Sequence, residues 1–152
     1  MFEQILGLPA HPLIVHAAVI FIPLLAVGSV VYGLVPRVRP RLGWAVTLLA
    51  LAAPAAAFAA EQSGEAFKAH TFAGGLPEGE LGMRIAEHEG YAGPLLYSTI
   101  GLGASALALV YSSLRLGKVT TTLLTVVTVV LALVAGFYAV RSGHSGAVAV
   151  WG

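Results

Sequence analysis

The chain predicts an all-α integral membrane protein, a four-helix up-down bundle with a partly helical outer loop between helices two and three. Of 152 residues, 58% are hydrophobic and only 10% charged, where a soluble domain carries roughly 25% charged residues. Mean hydropathy is +0.89. Four stretches, residues 13–35, 42–60, 95–114 and 119–140, hold no Asp, Glu, Lys or Arg. Each approaches or exceeds the roughly 20 residues that cross a hydrocarbon core as a helix. Within lipid a continuous helical ladder satisfies every backbone N–H and C=O. The remaining chain is too short to bury four such rods, which excludes a soluble fold. The whole chain, residues 1–152, therefore reads as a single membrane domain.

Charge sets the expected topology. The first link holds Arg37, Arg39 and Arg41, and the third holds Arg115 and Lys118, both without an acid. All seven carboxylates (Glu3, Glu61, Glu65, Glu78, Glu80, Glu87, Glu89) lie in the N-terminus and the second link, with Lys68 and Arg84; Arg141 follows the last span. Short basic loops stay in the cytoplasm, so both termini are expected outside. Glu3 without Lys or Arg at the N-terminus reads as a retained first helix rather than a cleaved leader.

Short links make helices one and two, and three and four, antiparallel neighbours. Close packing is expected from Ala50, Ala52, Ala53, Ala55, Ala56 and Ala57, from Gly101 with Ser105, and from a face of Thr121, Thr125 and Thr128. Those Ala- and Gly-rich faces also leave a homodimer open. Pro23 and Pro54 are candidate kinks, tolerated if a neighbour satisfies the freed carbonyl. In the outer link, residues 61–94, an amphipathic helix begins near Pro77. Leu81, Ile85 and His88 share one face, and Glu80 and Arg84 stand at i, i+4. Gly90, Gly93 and Pro94 are expected to break or bend the path into the third span.

Cysteine is absent, so thiolate metal sites and Fe–S clusters are excluded. No P-loop, dinucleotide fingerprint or hydrolase constellation appears, and the few basic residues in tight loops exclude a nucleic-acid partner. The five histidines carry the chemistry. His11, at the cap before Pro12, His16 one turn further, His70, His88 and His144 all fall at one membrane level. Imidazole is the commonest transition-metal ligand and a standard axial ligand of haem iron. A bundle can hold a macrocycle between diagonal helices, which pairs His16 with His88 across the core. His11 and His144 would then sit nearer water, and Arg141 could pair with a haem propionate. The competing expectation is a Cu, Zn or Fe ion on His11, His16, His88 and His144, with Glu61 or Glu65. A third is an accessory subunit whose histidines form an interhelical polar network. An ion transporter ranks low, because the inner half of every span lacks ionisable groups.

HPLIVH near the N-terminus, AEHEG before the third span, and GHSGA followed by VAVWG after the fourth resemble the bacterial membrane family catalogued as domain of unknown function 2231. The resemblance covers nearly the whole chain and places His11, Pro12, His16, His88, Gly143, His144 and Gly146 on the family motif. His70 falls outside it, and VAVWG departs from the usual tail. Relatives fused to Rieske-type iron–sulfur domains imply redox company and the bacterial cytoplasmic membrane. The expectation is a small redox protein, a b-type cytochrome with bis-histidine haem b near the outer face. It would exchange electrons with a Rieske-type partner, another redox protein or quinone.

Overall fold

The computed structural model describes Gln4–Ile5 and residues 8–152, with side chains from His11 onward. Four helices fill the chain: α1 Ala10–Leu34, α2 Arg39–Thr71, α3 Glu80–Arg115 and α4 Lys118–Trp151. Each is long and apolar enough to cross a membrane. A two-residue antiparallel ladder, β1 Gln4–Ile5 with β2 Leu8–Pro9, precedes α1. A short 3-10 turn, Pro36–Val38, joins α1 to α2. The helices pack in ring order, with α1 diagonal to α3. This is the expected up-down bundle.

The helices outrun the uncharged segments. At 33, 36 and 34 residues, α2, α3 and α4 each reach about 50 Å, against a hydrocarbon core of about 30 Å. The end of α2, the start of α3 and the end of α4 thus form a helical collar beyond the lipid, at the end where the chain termini lie. The expected break at Gly90, Gly93 and Pro94 does not occur, since α3 runs straight through them. Proline removes one ladder bond, and packing between α2 and α4 holds the remainder of α3 in register. Helix α4 likewise continues past residue 140, through Gly143 and Gly146, to Trp151. The loop between α2 and α3 shrinks to residues 72–79, where Gly75 and Gly79 take positive φ of 108° and 87°. Helix α1 starts at Ala10, so His11 and Pro12 lie inside its first turn. A first-turn proline costs little there, because those N–H groups lack intrahelical partners anyway.

Small and hydroxylated residues build the core. Ala50, Ala53, Ala56 and Ala57 of α2 are buried, as are Thr121, Thr125 and Thr128 of α4. The closest helix approach uses Gly103 rather than Gly101. A Cβ at Gly103 would stand 2.6 Å from the Ala50 carbonyl oxygen and 3.0 Å from Pro54 Cγ. That carbonyl is the one Pro54, four residues on, leaves without its helical donor. The bare Cα of Gly103 therefore fits against the kink, where a weak Cα–H···O contact can form. Hydroxyls zip the other seams: Ser112 with Thr121 at 2.9 Å, Thr128 to Ser105 at 3.3 Å, and Tyr32 with Ser113 at 2.6 Å. At the end opposite the histidines, Arg39 donates to the Tyr32 and Gly33 carbonyls at 3.0 and 2.9 Å, closing the last turn of α1.

Candidate functional site

The buried stripe of α1 runs through Ala18, Ile22, Leu25, Ser29 and Tyr32. His11 lies seven residues before Ala18 and continues that stripe. His16 stands about 140° further round the helix, beside the exposed Val19, Ile20 and Val27. The expected placement of His16 opposite His88 is therefore corrected. His16 faces outward and bonds the Pro12 carbonyl of its own helix at 2.5 Å. The imidazole diagonal to His88 belongs to His11.

His11 is seated on α2. Ser63 Oγ donates to the Ala60 carbonyl at 2.9 Å, so its lone pair accepts from His11 Nδ1–H at 2.9 Å. The ring lies against Gly64, where a Cβ would come within 3.1 Å of His11 Cε1. Phe67, one turn beyond Ser63, stacks on the other side with centroids 6.2 Å apart and planes 21° apart. Because Ser63 falls between Glu61 and Glu65, this seat lies beyond the uncharged part of α2.

His88 is seated on α4 in the same way. Its Nδ1–H donates to the Ser142 carbonyl and to Ser145 Oγ, both at 3.1 Å. Ser145 in turn donates to the Ser142 carbonyl at 3.1 Å. A Cβ at Gly146 would come within 3.0 Å of His88 Cε1. The two seats share one plan: a carbonyl at position n, serine at n+3 and glycine at n+4. Ala60, Ser63 and Gly64 form one, and Ser142, Ser145 and Gly146 form the other. A carbonyl only accepts, so at His88 the proton sits on Nδ1 and the lone pair on Nε2; at His11 the same tautomer follows from Ser63 giving its hydroxyl proton to Ala60. Among the described residues neither Nε2 has a hydrogen-bond partner.

A neutral imidazole with a free Nε2 is the form a metal requires. On either side of His88, Glu89 pairs with Lys68 of α2 at 2.5 Å, and Glu87 with Arg141 of α4 at 3.7 Å. Arg141 also donates to the Tyr91 hydroxyl at 2.6 Å and lies 5.1 Å from that ring's centroid. The expected pair Glu80 and Arg84 forms at 2.6 Å. These exposed pairs orient the ends of the helices more than they stabilise them.

His70 and His144 are exposed. Among the described residues no three of His, Asp or Glu are grouped to hold a metal ion, so His11, His16, His88 and His144 are not brought together, with or without Glu61 or Glu65. Sequence reasoning missed Ser63, Gly64 and Ser145, and had Gly146 only as a motif position. The available signal was the Ser-Gly pair recurring at corresponding ends of the second and fourth helices.

No curated protein and no solved structure matches the chain. The model of one family, a predicted membrane protein family (DUF2231), matches residues 7–152. With all but its first six residues inside that match, the chain belongs to this family.

Proposed function

We propose that the protein is a small membrane cytochrome of the b type, in which His11 and His88 would hold a haem between α1 and α3. The observation that supports this reading is the pair of similarly seated imidazoles on diagonal helices, each with Nδ1–H anchored and Nε2 free. A structural or catalytic zinc site takes three or four protein ligands, whereas haem iron needs only two, its macrocycle supplying the others. Two seated imidazoles are the number that the second requirement asks for. Gly64 and Gly146 hold each ring close to its helix, and the Nδ1 bonds fix its tautomer, as the outer partners of metal-ligating histidines generally do. Arg141 and Lys68, on the collar, are the cations available to propionates. When bound, haem would supply one-electron exchange, with a quinone or a redox protein as partner.

The test is a visible spectrum with metal analysis on protein purified after expression with ample haem. A Soret band with one iron per chain is expected. A stoichiometric metal without porphyrin absorbance would select the bare-ion alternative, and neither would leave the accessory role.

The same reading places the protein in the bacterial cytoplasmic membrane, both termini and the collar outside. The basic turns around Arg37 and Lys118 carry the inner charge. As the chain lacks cysteine, single cysteines report without background. In spheroplasts His144→Cys should react with an impermeant maleimide and Lys118→Cys only after lysis. The reverse pattern would invert the topology.

A further inference from the structure

We infer that Ser63 with Gly64, and Ser145 with Gly146, are the positioning residues of the site, a repeated imidazole seat that aims Nε2 of His11 and His88 at one shared ligand. The inference rests on the redox reading for the identity of that ligand, but the seat is tested without it. Its basis is that α2 and α4 reproduce one arrangement of carbonyl, serine and glycine around an imidazole, with Nδ1 of His88 bonded directly to the Ser142 carbonyl as well. In both, the serine hydroxyl is spent on the carbonyl three residues earlier, by a bond of 2.9 or 3.1 Å. In both, the same oxygen then accepts from Nδ1–H, at 2.9 and 3.1 Å. In both, the next residue is a glycine whose missing Cβ would stand 3.1 or 3.0 Å from ring Cε1. A histidine packed only for stability needs none of this agreement.

Each part of the seat has a distinct effect. At His88 the serine oxygen and the Ser142 carbonyl both draw on the Nδ1 proton, and at His11 the serine oxygen does. That gives the ring partial imidazolate character and makes Nε2 a stronger donor to an oxidised metal. The glycine sets how near the ring lies to its helix and at what tilt. Any side chain there forces the ring to give way by a few tenths of an ångström. The seat thus sets both the donor strength and the space left between the two rings.

The experiment compares the full chain with Ser63→Ala, Ser145→Ala, Ser63→Thr and Gly146→Val, each purified with and without haem. In the metal-free protein, nitrogen NMR of the imidazoles should show Nδ1 protonated and Nε2 unprotonated at His11 and His88. Ser145→Ala should weaken protection of the His88 Nδ1 proton and leave His11 unchanged, with Ser63→Ala doing the converse. With haem, each alanine variant should lose about 10–100-fold in affinity and raise the midpoint potential, and Ser63→Thr should restore both. Gly146→Val should alter the low-spin EPR signature, which reports the angle between the axial ring planes. If the alanine variants keep wild-type proton protection, affinity and potential, the seat is overturned while the cytochrome reading stands. If the protein takes up no haem but the NMR pattern follows the serines, the cytochrome reading falls and the seat survives for another ligand.

Discussion

His11→Ala and His88→Ala should each strip haem from the purified protein, while His16→Ala and His144→Ala leave its spectrum intact. Loss of a supporting partner around a metal ligand costs roughly 10–100-fold in affinity, and loss of the ligand itself exceeds that. The contrast between His11 and His16 makes the test sharp. The two lie within one helix, five residues apart, in equally apolar surroundings. Only His11 continues the buried stripe of Ala18, Leu25 and Tyr32. His16 faces lipid and bonds its own helix. Titrating haem into metal-free protein from each variant measures the difference. If His16→Ala proved as damaging as His11→Ala, the proposed ligand pair would be wrong, whatever cofactor binds.

The second large effect lies at a close contact between α2 and α3. Gly103→Val should lower stability by about 3 kcal/mol, the upper end of ordinary overpacking, because its Cβ meets backbone rather than a yielding side chain. The obstacle is the Ala50 carbonyl oxygen at 2.6 Å, backed by Pro54 Cγ at 3.0 Å. Only separation of α3 from α2 can relieve it, and separation exposes the unpaired carbonyl to lipid. Gly136→Ala is the control, since a Cβ there meets nothing within 4 Å and alanine favours helix by up to about 1 kcal/mol. Denaturant unfolding in mixed micelles compares the two. Equal stabilities would mean that the α2–α3 contact yields more readily than its geometry implies.

The spans, their order and their antiparallel pairing were legible because lipid enforces them. A run without charge must be helical, and short links leave one packing. The inward face of α1 was less legible, because α1 is apolar all round. In a soluble helix the apolar stripe marks the inside, but lipid is as apolar as the core. Val19, Ile20 and Val27, around His16, are as apolar as any core residue, yet they are exposed. The informative residues were the small ones, Ala18, Ala26 and Ser29, which are buried and let helices approach. Glycine misled for a related reason. Gly90 and Gly93 read as breakers, but α3 runs through them. At Gly146 the value of glycine is the room it gives His88, a fact about another helix that local pattern cannot contain. The seats themselves were visible as a repeated Ser-Gly pair, although their meaning required the histidines to be placed.

Each imidazole is held within its own hairpin, His11 by α2 and His88 by α4. The first hairpin is complete as soon as residue 64 has left the ribosome, long before α3 is made. A nascent chain therefore holds one finished half-site with no counterpart, and a two-point ligand gains its second attachment only when the hairpins dock. Cofactor capture would in this way certify assembly, since a chain stalled after its first pair of spans has nothing to close around the guest.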